Sequence, residues 1–192
     1  MASVDDILSF WFGQPNEPDY TEPRGRWFEH DSSFDAECAR RFLATHEKAA
    51  AGELQAWRDE PRGALALVLL LDQFPRNLFR DSDRAFATDA QAREVARHAL
   101  ARGLDVPLPP VWRWFFYLPF EHSEEIHDQR LAVSLFESLL PQHPASAEVL
   151  DYARRHLGVI ERFGRFPHRN TWLGRESTPE EAAFLQEPGS SF

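Results

Sequence analysis

The 192-residue sequence predicts a single all-α domain, on three observations. Apolar residues recur three and four apart through most of the chain, as the buried face of a helix requires. Helix-start residues (Ser3, Thr88, Ser123, Thr178) and helix-stop glycines (Gly52, Gly103) punctuate that pattern. No stretch alternates apolar and polar residues long enough to build a strand. The links are short, so about eight to ten helices are expected to pack as antiparallel neighbours. The predicted domain spans residues 1–192 without an internal linker, and residues 187–192 read as a small flexible tail.

Taken in order, Ser3 caps a first helix through Phe12, with Asp5 and Asp6 in the turn where the helix dipole favours them. Residues 13–23 are a loop by composition, and Arg24 to His30 form a brief helical turn. Asp31 or Ser32 opens a longer helix that stops at Gly52. Its Phe34, Cys38 and Phe42 share one face, so Cys38 reads as a small core residue. A short helix over 53–59 precedes a start at Pro61. The helix from Pro61 to about Gln73 is apolar all round and is expected at the buried centre. Thr88 and Gln91 read as a capping box for a helix to Arg102, with Ala92, Val95, Ala96, Ala99 and Leu100 inward. A short aromatic helix over 111–117 is expected to end at Pro119. Ser123 caps the next, with Ala132, Leu135, Phe136, Leu139 and Leu140 inward. Residues 144–146 open another, with Val149, Ala153, His156, Ile160 and Phe163 inward. Thr178, Pro179 and Glu181 start a last helix to about Gln186.

Composition narrows the classes of function. The formal charge of −10 argues against a nucleic-acid partner and against anionic membranes. The longest apolar run, 64–71, is far short of the roughly 20 residues a span needs. The first residues lack the basic and apolar regions of a signal peptide. One cysteine, Cys38, permits no internal disulfide and no cysteine-rich metal site. A cytoplasmic protein is expected.

Against that acidic background, Arg162, Arg165, His168, Arg169 and Arg175 fall within fourteen residues. Crowded cations need something negative among them, a buried carboxylate or a bound anion. Two phrases echo one another: Asp-Gln-Phe-Pro-Arg-Asn at 72–77 and Arg-Phe-Pro-His-Arg-Asn at 165–170. In each, Phe-Pro follows a predicted buried helix and Arg and Asn come next. Asp72 ends an otherwise apolar helix, and a buried carboxylate there demands partners. The two phrases are therefore expected to meet. A third phrase, Pro-Phe-Glu-His-Ser-Glu at 119–124, sets Glu121 and His122 at a helix mouth, where a neutral His beside a carboxylate can act as a base. His156 lies on an apolar stripe.

Two readings of the Arg-rich stretch stay open. Structurally, Arg162 and Arg165 pair with Asp72 and Glu121 and tie helices together. Functionally, the guanidinium groups bind a carboxylate or phosphate, helped by the helix start at Thr178. Metal signals are weak: Glu124-x-x-His127 has no second copy, and neither HExxH nor paired cysteines occur. No metal and no cofactor is predicted.

The three phrases, with Leu-Gly-Arg at 173–175, Ser-Thr-Pro-Glu-Glu at 177–181, Ser-Phe-Trp-Phe at 9–12 and Trp-Phe at 27–28, resemble the bacterial domain of unknown function number 924 over essentially the whole chain. The resemblance implies an all-helical, tetratricopeptide-like stack, although no repeat consensus of about 34 residues is visible. It implies no established activity.

One concave face is expected to carry Asp72, Arg76, Asn77, Glu121, His122, His156, Arg162, Arg165, His168, Arg169 and Asn170, walled by Trp112, Trp114, Phe115 and Phe116. The leading expectation is a binding site for a small anion or acidic peptide end. An enzyme acting on an anionic substrate is the first alternative. There His122 or His168 is acid or base, Arg165 and Arg169 steady charge, and Asp72 or Glu121 orients. A protein-interaction scaffold with a purely structural polar network is the second.

Overall fold

A computed structural model describes residues 1–190, and among them the secondary structure is helical, with no strand. In chain order the helices are α1 (Val4–Phe12), α2 (Ser32–Ala50), α3 (Pro61–Val68), α4 (Phe74–Leu78), α5 (Asp89–Ala101), α6 (Pro110–Glu121), α7 (Ile126–Leu139), α8 (Ser146–Phe163) and α9 (Pro179–Phe184). Short 3-10 turns fill several of the links. No helix is long and apolar enough to cross a membrane, among the described residues.

The centre is the apolar run of α3. Every residue from Gly63 to Pro75 is buried, and α1, α2, α5 and α6 all pack around this segment. Gly63 is required by close approach, because a Cβ there would run into the Trp57 carbonyl. The second large packing unit is α7 against α8, joined to the first through α6. Cys38 is fully buried between Phe34 and Phe42 on the inner face of α2, and burial pushes its thiol pKa up to about 12. It is a core residue.

Two proline signals do less than the sequence suggests. The central helix does not stop at Phe74-Pro75. It passes through a π-helical turn at Leu69–Gln73 and continues as α4. There the Phe74 amide reaches back five residues to Leu69. The Leu70 carbonyl thereby released, the Leu71 carbonyl that Pro75 cannot serve and the neighbouring Asp72 carbonyl all accept from side chains. His46 Nδ1 donates to Leu70 at 2.8 Å, Thr88 Oγ1 to Leu71 at 2.5 Å, and Arg76 to Asp72 at 2.5 Å. Three consecutive buried acceptors are thus satisfied from α2, from the turn before α5 and from α4 itself. Likewise α6 runs through Pro119 to Glu121.

Other helix boundaries differ in detail. Thr88 does not cap α5, because its hydroxyl is committed to Leu71, and Gln91 reaches the Ala50 carbonyl instead. Helix α7 begins at Ile126 after a turn in which Ser123 accepts the Glu125 amide. It ends at Leu139, so Leu140 is exposed rather than inward. The capping boxes at Ser3 and Thr178 form as expected. Trp112, Trp114, Phe115 and Phe116 wall no polar face. Trp112 stacks on Phe12 at 4.2 Å, Phe115 meets Trp11, Phe12 and Trp27, and all four are core. Of the expected tail, Ser190 is buried and donates to Leu185, and residues 191–192 lie outside the described residues.

The carbonyl capture makes a sharp prediction. Thr88→Val keeps the side-chain volume and removes the donor, stranding a buried acceptor, which costs about 1–3 kcal/mol. Urea unfolding should register that loss for Thr88→Val but not for Thr88→Ser. Equal stability of all three proteins would show that the Leu71 carbonyl is satisfied otherwise.

Candidate functional site

The π turn and the ends of α6 and α8 bring one polar cluster into the apolar interior. Asp72 is the anchor. It has no exposed surface and leaves α3 beside three donors. His122 Nδ1 is 2.8 Å from Oδ1, Gln73 Nε2 is 2.6 Å from Oδ2, and Arg76 is 3.5 Å from Oδ1. Burial works against the charge on Asp72, but His122 and Arg76 outweigh it and hold the carboxyl at about 2. An ionised carboxylate only accepts, so His122 carries its proton on Nδ1. Burial, then Arg76, lowers the His122 pKa. The result is a neutral imidazole oriented by a carboxylate, with the Nε2 lone pair free of hydrogen bonds to described residues.

Asp89 is the second anchor. Arg76 meets it through two nitrogens, at 2.9 and 3.1 Å. Arg169 approaches the same carboxylate at 3.6 Å and donates to the His122 carbonyl at 3.0 Å. Its guanidinium lies between the rings of Phe86 and Phe166, 4.7 and 4.5 Å from their centroids. Burial lowers the Arg169 pKa to about 10, which leaves it charged at neutral pH. Two buried carboxylates therefore match two arginines.

Glu121, one residue before His122, is treated differently. Its Oε1 is 3.1 Å from His156 Nδ1, and its Oε2 is buried without a hydrogen bond among the described residues. Burial and the charge on Asp72 raise its pKa to about 8. Burial also pulls His156 and His168 down to about 3. His168 is within electrostatic reach of Arg169, Arg76 and His122.

The two echoing phrases do meet, through Arg76 and Arg169 on Asp89. The rest of the Arg-rich stretch is elsewhere. Arg162 pairs with Glu180 at 3.0 Å, Arg165 with Glu181 at 2.6 and 2.8 Å, and Arg175 with Glu124 at 2.7 and 3.0 Å. The pairing of Arg162 and Arg165 with Asp72 and Glu121 does not form, because Asp72 lies behind Arg76 and His122 and the start of α9 presents nearer carboxylates. Asn170 joins this second group through Ser177 and Glu181. Asn77 faces away and donates to Asp35, beside Arg80. Of the eleven residues expected on one face, Asp72, Arg76, Glu121, His122, His156, His168 and Arg169 share a cluster, and Asn77, Arg162, Arg165 and Asn170 do not. Sequence reasoning missed Asp89 and Gln73. Asp89 looks like any acid in a first helical turn, and Gln73 carries no signal of its own.

The opposed shifts predict a pH signature. A raised carboxyl holds its proton more tightly folded than unfolded, so Glu121 subtracts stability as pH climbs from 4.5 to about 8. Depressed histidines do the reverse, and His156 and His168 add stability as pH rises from about 3 to 6.5. Asp72 acts in acid, where its contribution is full above 3.8 and lost as pH falls through about 2. Between pH 6.5 and 8 only the Glu121 effect remains among these groups. Urea unfolding across that window should show wild type losing stability and Glu121→Gln nearly flat. Parallel curves would mean that Glu121 ionises normally.

No curated protein matches this sequence. A solved structure of a protein of unknown function from Agrobacterium tumefaciens is similar to it, at 43% identity with a TM-score of 0.82, covering 95% of this chain and 96% of that one. The profile described as "Bacterial protein of unknown function (DUF924)" matches residues 7–189. With that span matched and a relative this similar along its whole length, the chain belongs to the bacterial DUF924 family.

Proposed function

We propose that the protein binds a small anionic molecule, a carboxylate or phosphate compound, at the His122, Arg76 and Arg169 end of the cluster. His122 is then positioned to take a proton from it. The observation that carries this reading is the 2.8 Å contact from His122 to Asp72, which fixes the imidazole tautomer and leaves Nε2 as a base. His122 and Arg76 also reach the surface, at 13% and 23% side-chain exposure. Arg169 supports the reading because its buried Nε makes no hydrogen bond among the described residues. The site is narrower than the Arg-rich stretch suggests. Arg162, Arg165 and Arg175 are occupied by Glu180, Glu181 and Glu124 and are assigned to holding the C-terminal segment.

That saturation favours a second reading, in which the whole network is architectural and the function is a contact with another protein. Thermal unfolding against a panel of phosphorylated and carboxylated metabolites separates the two. A binder at a hundredfold excess over its dissociation constant adds about 2.7 kcal/mol to the native state. On the first reading at least one compound does so for wild type, His122→Gln weakens it tenfold or more, and Arg165→Ala retains the response from a lower starting stability. A panel silent against wild type, or a response that depends on Arg165 and not on His122, would sink the first reading and leave the second.

A further inference from the structure

Asp72 and Glu121 belong to one buried cluster and have opposite partners. Asp72 faces Arg76, His122 and Gln73. Among the described residues Glu121 pairs with no Arg or Lys, and its neighbour is His156. His156 Nδ1 lies 2.9 Å from the Tyr152 carbonyl as well as 3.1 Å from Glu121 Oε1. Nδ1 therefore carries the hydrogen, which goes to Tyr152, and burial, which pulls the His156 pKa down to about 3, makes the ring that faces Glu121 neutral. The nearby cations, Arg76 and Arg169, are engaged by Asp72 and Asp89. An ionised carboxylate so placed would be buried without a counter-charge, which is costly. Glu121 therefore keeps a proton. Oε1 faces the His156 Nδ1–H at 3.1 Å, so that proton belongs on Oε2, an atom with no hydrogen bond among the described residues. Neighbouring segments leave other buried polar atoms unmatched: Arg169 Nε, Asn170 Oδ1 and Gln129 Oε1. Gln129 is tied to the Glu121 and Ser123 carbonyls through its amide nitrogen, at 2.5 and 2.6 Å.

We propose that Glu121 is the proton donor of this site, the acid counterpart of the His122 base, and that the ligand is a small anionic molecule that loses a proton at one atom and gains one at another. The inference rests on the anion-site reading above. In the step, His122 Nε2 takes a proton from the ligand, or from water adding to it. The Glu121 Oε2–H bond breaks, and its proton passes to a second ligand atom. Protein charge is unchanged, since neutral His122 and Glu121 become imidazolium and carboxylate, and no oxidant or reductant is needed. Return of the proton from His122 to Glu121 resets the site. Burial favours that direction, lowering the first pKa and raising the second to about 8. Oε2 is enclosed, so the transfer requires ligand entry to open this end of the cluster. A changed hydrogen bond at the Glu121 carboxyl reports that contact.

Infrared difference spectroscopy tests this with inorganic phosphate as the probe. Glutamate labelled with ¹³C at the carboxyl assigns the band without a substitution, and Glu121→Gln assigns it to the position. The expected result is a protonated glutamate carboxyl stretch at pH 7, absent in Glu121→Gln, that shifts when phosphate binds and vanishes as pH is raised past 8. Ionised Glu121 at pH 6 would overturn the proposal and leave the anion site standing. Phosphate binding that leaves the band unmoved would overturn it too. Failure of saturating phosphate to stabilise the protein, with the band present at pH 7, would remove the anion site and the donor role with it.

Discussion

A carboxylate with no access to water, set at the end of an eight-residue apolar run, constrains this whole structure. Asp72 cannot be buried as a charge unless donors are brought to it, and each donor arrives on a different element. Arg76 comes from the continuation of its own helix and His122 from the end of α6. Arg76 also forks onto Asp89 at the start of α5, a second buried carboxylate that needs a cation of its own. Asp89 in turn draws Arg169 from the turn after α8. Charge matching around one buried group thus fixes the relative placement of four helices and the C-terminal turn. Hydrophobic packing alone, which is non-directional, would specify that register less tightly.

The backbone makes the placement possible. The Phe74 amide goes to Leu69 and leaves the Leu70 carbonyl open, Pro75 has no amide for Leu71, and the Asp72 carbonyl comes next in line. His46, Thr88 and Arg76 take them up, so the helix crosses the core with a wide turn and no stranded acceptor. Wide turns of this kind often occur at functional sites, because they re-aim a side chain without ending the helix. Here the re-aimed residues are Asp72 and Gln73. The polar cluster and the helix distortion are one feature seen from the side chains and from the backbone.

Much of this was legible in the sequence, and the failures share a cause. The all-helical class, the buried centre at 61–73, the core role of Cys38 and the capping box at Thr178 follow from local patterns that tertiary packing does not override. The meeting of the two Phe-Pro phrases follows from the need of Asp72 for a partner. Pro75 misled because the carbonyl it frees is met by Thr88, which no local pattern points to, and α6 likewise runs through Pro119. The Arg-rich stretch misled for a related reason. Arg162, Arg165 and Arg175 look like a ligand site until Glu180, Glu181 and Glu124 are seen facing them, and no local spacing reports that pairing. Asp89 was invisible because an acid in a first helical turn is ordinary. Its role appears only when Arg76 and Arg169 are seen converging on it.

The central claim is that an ionised Asp72 fixes the tautomer of His122, while burial and Arg76 keep the ring a neutral base. Nitrogen-15 NMR of the histidine rings at pH 7 reads that state directly, with His122→Gln to assign the signals. The account predicts a neutral His122 with its hydrogen on Nδ1 and an unprotonated Nε2. A cationic His122, or a neutral ring protonated on Nε2, would contradict it.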